Sequence, residues 1–182
     1  MKYIITTNFL FNYIFDENKY KLIFVPLSIK NEINVIKKYG LVDYITNIYL
    51  HNKIGSPNKT FDIFIHNQND LCNITDATHF ILINCAVIIN RNVIAYCKTN
   101  RICMLNVHPG NVDCPGRQPL VKSQRTNIYG IFCHEVTSKI DDTQNVLYKY
   151  CLYSQDQPSG LEFIKNKTEF ILREIGRFER KI

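Results

Sequence analysis

Four residues in the second half of the chain could hold a negative oxygen or move a proton: Asn106, His108, His134 and Asp141. A side-chain amide can donate an N–H to an oxygen that develops negative charge. An imidazole two residues further on can bond the same oxygen or carry a proton. Both reach one cleft if Val107, between them, points away. Asp141 stands seven residues after His134, where a carboxylate could orient His108 and accept a proton. Each residue alone also has a plainer reading. Asn suits a turn after a strand, His108 suits a loop beside Pro109, and His134 on an apolar strand suits a core. From spacing, Asn106, His108 and Asp141 form a candidate triad.

The elements that must position these groups are legible as alternating strands and helices. Residues 2–6, 20–25, 61–66, 79–85, 101–105, 128–136 and 145–153 are β-branched, aromatic or continuously apolar and are predicted as strands. Of these, residues 61–66 form a short buried strand and 79–85 a strand buried on both faces. Residues 29–39 place Ile29, Ile33 and Ile36 on one face of a short helix that ends at Gly40. A brief helix is predicted over 90–98, and residues 51–60 read as a loop through Gly55, Ser56, Pro57 and Asn58. A longer C-terminal helix carries Leu161, Ile164, Phe170, Ile171, Ile175 and Phe178, with Ser159 as its N-cap. The order implies one α/β domain over residues 1–182, Rossmann-like, with a mostly parallel central sheet and a C-terminal helix. In such sheets ligands bind beyond the carboxyl ends of the strands, and Asn106 and His108 lie immediately past the strand 101–105.

Composition narrows the function classes. The chain has 182 residues, 46% hydrophobic and 21% charged, which is ordinary for a globular domain. No apolar run reaches the length of a membrane span, and the first residues read as structure and not as a targeting peptide. Seven cysteines, an odd number without C-x-x-C pairing, point to reduced buried thiols in a cytoplasmic protein and away from a disulfide scaffold or a metal site. His51, His66 and His79 lack metal-ligand spacing and read as structural. The net charge of +6 is scattered over short doublets such as Lys37–Lys38. It fits attraction of an anionic small molecule, and no nucleic acid is expected.

Asn106-x-His108-Pro109, then Pro115-Gly116-Arg117-x-Pro119, Gly130-x3-His134 and Ile140-Asp141 together resemble the formyltransferase family. That family includes phosphoribosylglycinamide, methionyl-tRNA and sugar N-formyltransferases, and formyltetrahydrofolate deformylase. The resemblance covers about residues 79–153. It implies transfer of a formyl group from N10-formyltetrahydrofolate to the amine of a small molecule. Asn106 would stabilise the tetrahedral oxyanion, His108 would assist it or shuttle a proton, and Asp141 would hold His108 and help deprotonate the amine. His134 would build the site. The stretch Thr137, Ser138, Lys139 and Ile140 matches the loop that contacts the folate pterin ring. Arg117 either binds a substrate phosphate or caps its loop.

This chain departs from the family pattern in ways that bear on substrate. Phe132 stands where a Thr is usual, Thr143 replaces a Gly, and Arg125-Thr126-Asn127 replaces an Asn-Gly turn. Thr6-Thr7-Asn8-Phe9 follows the first strand in place of a Gly-rich phosphate loop. These differences turn the expected acceptor from phosphoribosylglycinamide towards a nucleotide-linked amino sugar. Hydrolysis of the formyl-folate and a catalytically inactive binding module are the alternatives on the same fold. Residues 1–78 are divergent or shortened, and hold either an acceptor pocket or a homodimer surface.

Overall fold

The computed structural model describes residues 1–7, 13, 15–27, 29–53, 60–110, 119–138, 146–153 and 157–177. Seven strands form one sheet: β1 (Lys2–Thr6), β2 (Tyr20–Phe24), β3 (Ile63–Phe64), β4 (His79–Ile83), β5 (Cys103–His108), β6 (Ile128–Glu135) and β7 (Val146–Tyr153). Their spatial order is β3-β2-β1-β4-β5-β6-β7. The pairs β1–β2, β1–β4, β2–β3 and β4–β5 are parallel, whereas β5–β6 and β6–β7 are antiparallel. The chain order reverses between β1 and β4, which is the switch point where open α/β sheets take their ligands.

Two cores sandwich the sheet. On one face Ile4, Leu22, Ile81, Leu105, Val107 and Ile131 pack under α5 (Gln157–Arg173). Leu50 of α2 (Leu41–Lys53) and Leu120 of α4 (Pro119–Thr126) complete that layer. The other face buries Ile5, Ile23, Phe80, Leu82 and Met104 beneath α3 (Arg91–Thr99). Alternation along β1, β4 and β5 decides which residue goes to which core. A one-residue slip of β5 would turn Leu105 and Val107 out of the α5-side core and set Asn106 in their place, an amide without partners in an apolar layer. The position of Asn106 is therefore set by its apolar neighbours.

Local signals explain the helix ends. Asn90 caps α3 by accepting from Val93 N–H at 2.9 Å. Gly40, at φ 87°, ends α1 (Ile29–Tyr39) and donates its N–H to Ile36 O at 2.8 Å. Its own carbonyl then accepts from Tyr44 N–H, so a single residue separates α1 from α2. The α1 face differs from expectation: Val35 is buried, whereas Ile33 is 45% exposed. Residues 61–66 also differ, since only Ile63 and Phe64 pair and Phe64 is exposed, as the short strand lies at the sheet edge. Ser159 lies inside α5 and not at its cap, because that helix begins at Gln157.

Helix α5 approaches β6 through a glycine. A Cβ on Gly160 would stand 2.3 Å from the Tyr129 ring, which is 1% exposed and cannot swing aside. Gly160→Ala is expected to destabilise the fold by about 1–3 kcal/mol or more through overpacking. Denaturant unfolding checks it: a midpoint equal to wild type would mean that helix and strand can separate without penalty.

Candidate active site

Both Asn106 and His108 lie within β5, as its last polar residues, and not in the loop beyond it. The strand runs further than expected because β6 pairs with it along this length, with Asn106 opposite His134 and His108 opposite Phe132. Val107, 1% exposed, packs into the α5-side core with Ile83 and Leu105. Asn106 and His108 thus project from the opposite face, as the two-residue period requires.

The cross-strand register turns Asn106 and His134 into a hydrogen-bonded pair, with Nδ2 and Nε2 3.0 Å apart. Its direction follows from the other ring nitrogen. His134 Nδ1 lies 2.9 Å from Glu135 O, and a carbonyl can only accept, so Nδ1 carries the proton. Nε2 is then the acceptor, and Asn106 donates through Nδ2. His134, 2% exposed, thereby fixes which way the amide faces. One N–H and the oxygen of Asn106 are left for other partners. The β6–β7 register shifts between Cys133, opposite Tyr148, and His134, opposite Val146.

Phe132 sits between two imidazoles. Its ring centroid is 4.8 Å from that of His108 and 5.5 Å from that of His134, nearly parallel to the latter. Phe132 is fully buried and His108 is 8% exposed, so the stack is a dry wall that holds both rings. The residue that departs from the family pattern therefore has a defined place in the site. The neighbouring Cys133 points into the other core, where burial pushes its thiol up to about 12 and leaves it protonated. It is no nucleophile near neutral pH.

Sequence reading passed over a third polar group, Asn84, the residue after β4. Ile83 pairs with Val107, so Asn84 and His108 each directly follow the last registered pair of β4 and β5. Asn84 adopts φ 50°, a left-handed conformation that Asn tolerates. Its carbonyl accepts from Thr7 Oγ1 at 3.0 Å, and Thr7 Oγ1 in turn accepts from Ala86 N–H at 3.0 Å. Its Nδ2 donates to the Tyr13 hydroxyl at 3.3 Å, and Tyr13 also bonds Thr168 of α5. Burial holds the Tyr13 hydroxyl up at about 12, so it stays protonated and can donate. Asn84 Oδ1 is buried and has no hydrogen-bond partner among the described residues. The available signal was a polar residue ending the apolar run of β4, as Asn106 does near the end of β5.

Thr137 and Ser138 follow β6 where Val136 N–H bonds Met104 O at 2.9 Å, two residues before Asn106 along β5. Arg117, Lys139, Ile140 and Asp141 lie outside the described residues. Among the described residues no group of His, Cys, Asp and Glu could hold a metal ion. No described helix is long and apolar enough to cross a membrane.

His134→Ala separates the orienting role from the chemistry. Should Asn106 act on a substrate, loss of the side chain that orients it is expected to cost about 10–100-fold in kcat, with KM nearly unchanged. Steady-state kinetics checks it, and an equal loss in KM would assign His134 to ligand binding.

No protein-family model matches the chain, and no curated protein matches it. Solved structures do. Phosphoribosylglycinamide formyltransferase from Streptococcus pneumoniae aligns with TM-score 0.56 and 13% identity over 98% of this chain and 99% of its own. Glycinamide ribonucleotide transformylase 1 from Symbiobacterium toebii gives 0.55 and 11% over 97% and 88%. WlaRD, a sugar 3N-formyltransferase solved with dTDP and 5-N-formyl-THF, gives 0.50 and 14% over 98% of this chain but 62% of that one. With its seven-stranded, mostly parallel sheet and C-terminal helix, the chain has the fold of the formyltransferases.

Proposed function

We propose that the chain is an N-formyltransferase that moves a formyl group from N10-formyltetrahydrofolate to the amine of a small molecule, a nucleotide-linked amino sugar being the favoured acceptor. The observation that carries this reading is the pairing of Asn106 with His134, which orients an amide on the same strand face as His108. Formyl transfer needs a donor to the carbonyl oxygen as the amine adds to the carbon, and a group to move the proton that the amine loses. Asn106 supplies the first through its remaining N–H, and His108 the second.

Asp141 completes the triad by resemblance, holding His108 and taking up the amine proton. The bonds balance: nitrogen to carbonyl carbon forms, carbon to N10 breaks, and the amine proton ends on N10 of tetrahydrofolate. The donor supplies an activated one-carbon unit. In this reading Thr137, Ser138, Lys139 and Ile140 line its pterin ring and Arg117 faces a phosphate of the acceptor. The preference for a sugar nucleotide rests on the missing Gly-rich loop after β1.

The test is incubation of the chain with 10-formyltetrahydrofolate and a panel of amines that includes nucleotide-linked amino sugars, read by mass spectrometry. The expected product carries one formyl group in place of an amine hydrogen. Formate release without any amine would assign hydrolysis instead. No turnover of the donor under either condition would make the chain a binding module.

A further inference from the structure

A row of side chains crosses the sheet at the candidate site. His108 of β5 pairs with Phe132 of β6, and Phe132 pairs in turn with Lys149 of β7. Residues paired in this way share a face of the sheet. The neighbours of Lys149 fix that face independently. Tyr148 meets Phe170 with ring centroids 6.0 Å apart and Tyr150 meets Phe163 at 5.4 Å, and both partners belong to α5. Alternation then turns Lys149 away from α5, to the side where Phe132 packs against His108 and His134. Neighbouring strands lie about 4.8 Å apart, so about 10 Å separates the backbones of His108 and Lys149. Lys149 is exposed, and no described acidic residue pairs with it. A lysine on an edge strand also discourages pairing with another chain, but any charge along β7 would serve that end. Its place in the row is what gives this one a second use.

The β1 side of the site has the reverse character. An open α/β sheet often takes phosphate at the turn after its first strand. Here the hydroxyl and the N–H of Thr7 both donate to Asn84 O, at 3.0 and 3.3 Å. The Thr7 oxygen accepts from Ala86 N–H. The two donors that Thr7 could offer an anion are therefore spent on the backbone that follows β4. We infer that Lys149 is an anion-binding residue of this site, taking an oxyanion of the ligand, a phosphate or a carboxylate, on the β7 side of His108. A ligand so held lies across the sheet, with its reacting group at Asn106 and His108 and its charge towards β7. The inference rests on the formyl-transfer reading for its two sources, the phosphates of a nucleotide-linked acceptor and the glutamate carboxylates of the folate donor. A compact ammonium on a flexible four-carbon stem suits either.

Isothermal titration calorimetry of the full chain with two probes, each at up to about 1 mM, separates the sources. UDP carries the phosphates, and 5-formyltetrahydrofolate carries the carboxylates. Lys149→Ala is expected to weaken at least one of them by about five- to tenfold, and the probe that loses affinity names the source. Lys149→Arg should restore most of the loss, since it keeps the charge. Lys98→Ala removes the same charge in the last turn of α3 and should change neither affinity. Thermal unfolding of Lys149→Ala should match wild type, because the side chain is exposed. The proposal is overturned if neither probe binds the wild type, if Lys149→Ala binds both as wild type does, or if Lys98→Ala weakens binding as much. Binding is read without turnover. A wild type that holds a probe through Lys149 yet transfers no formyl group would keep this inference and end the formyl-transfer reading.

Discussion

Replacing Asn106 by alanine is expected to lower kcat for formyl transfer by about 10²–10³-fold, the usual cost of removing one oriented donor to a developing oxyanion. The donor here is pre-aimed. His134 Nε2 accepts one N–H at 3.0 Å, which leaves the other on a half-buried side chain held by that bond. Since the oxygen of the formyl group gains charge only as the bond to nitrogen forms, the loss falls on kcat and leaves KM for the donor nearly unchanged. Asn106→Asp sharpens the test. It keeps the shape, but it removes both N–H groups and sets an acceptor against the lone pair of His134. It should therefore lose about as much activity as alanine, although it is the closer isostere. An Asp variant that retains wild-type kcat would show that donation by this amide is not what the site supplies. A donor role and a merely structural one part here, because shape alone predicts the opposite ranking.

The orienting of Asn106 was only half visible in the sequence. The sharing of one cleft by Asn106 and His108 was legible only on the condition that Val107 points away, since the strand was expected to end at Leu105. The hydrogen bond to His134 was not, since it depends on the antiparallel register of β5 and β6, a contact across 28 positions of chain. The same limit explains the strand end. Residues 106–108 were expected in a loop because Pro109 and Gly110 follow, but pairing with Phe132 to Glu135 holds them in the sheet. Helices α2 and α4 went unseen for different reasons. Helix α2 carries apolar residues on both sides, Leu50 in the core and Leu41, Val42, Ile45, Ile48 and Tyr49 outside, which blurs its amphipathic pattern. Helix α4 has only eight residues, starts at a proline, and buries Leu120, Val121 and Ser123, too few for a clear period. The C-terminal helix was legible because Leu161, Ile164 and Ile171 all enter one core, joined by Ile175 in the turn beyond its end at Arg173.

His108→Ala is expected to cost about 10²–10⁴-fold in kcat, the range for loss of a group that moves a proton in the transition state. Its ring packs against Phe132 at 4.8 Å, and that wall in turn meets His134 at 5.5 Å, so the alanine variant also leaves a gap in the stack. Activity and stability must therefore be read together. His108→Gln restores some of the volume and a hydrogen-bonding amide but cannot exchange a proton near neutral pH. It should recover thermal stability towards wild type and leave kcat depressed. The decisive comparison is with the double variant of Asn106→Ala and His108→Ala. Groups that serve one transition state as a unit are strongly non-additive, the second loss costing little once the first is made. The double variant should thus fall no more than about tenfold below the slower single variant. If instead the two losses multiply, Asn106 and His108 act in separate steps, and the common strand face they share would reflect folding alone.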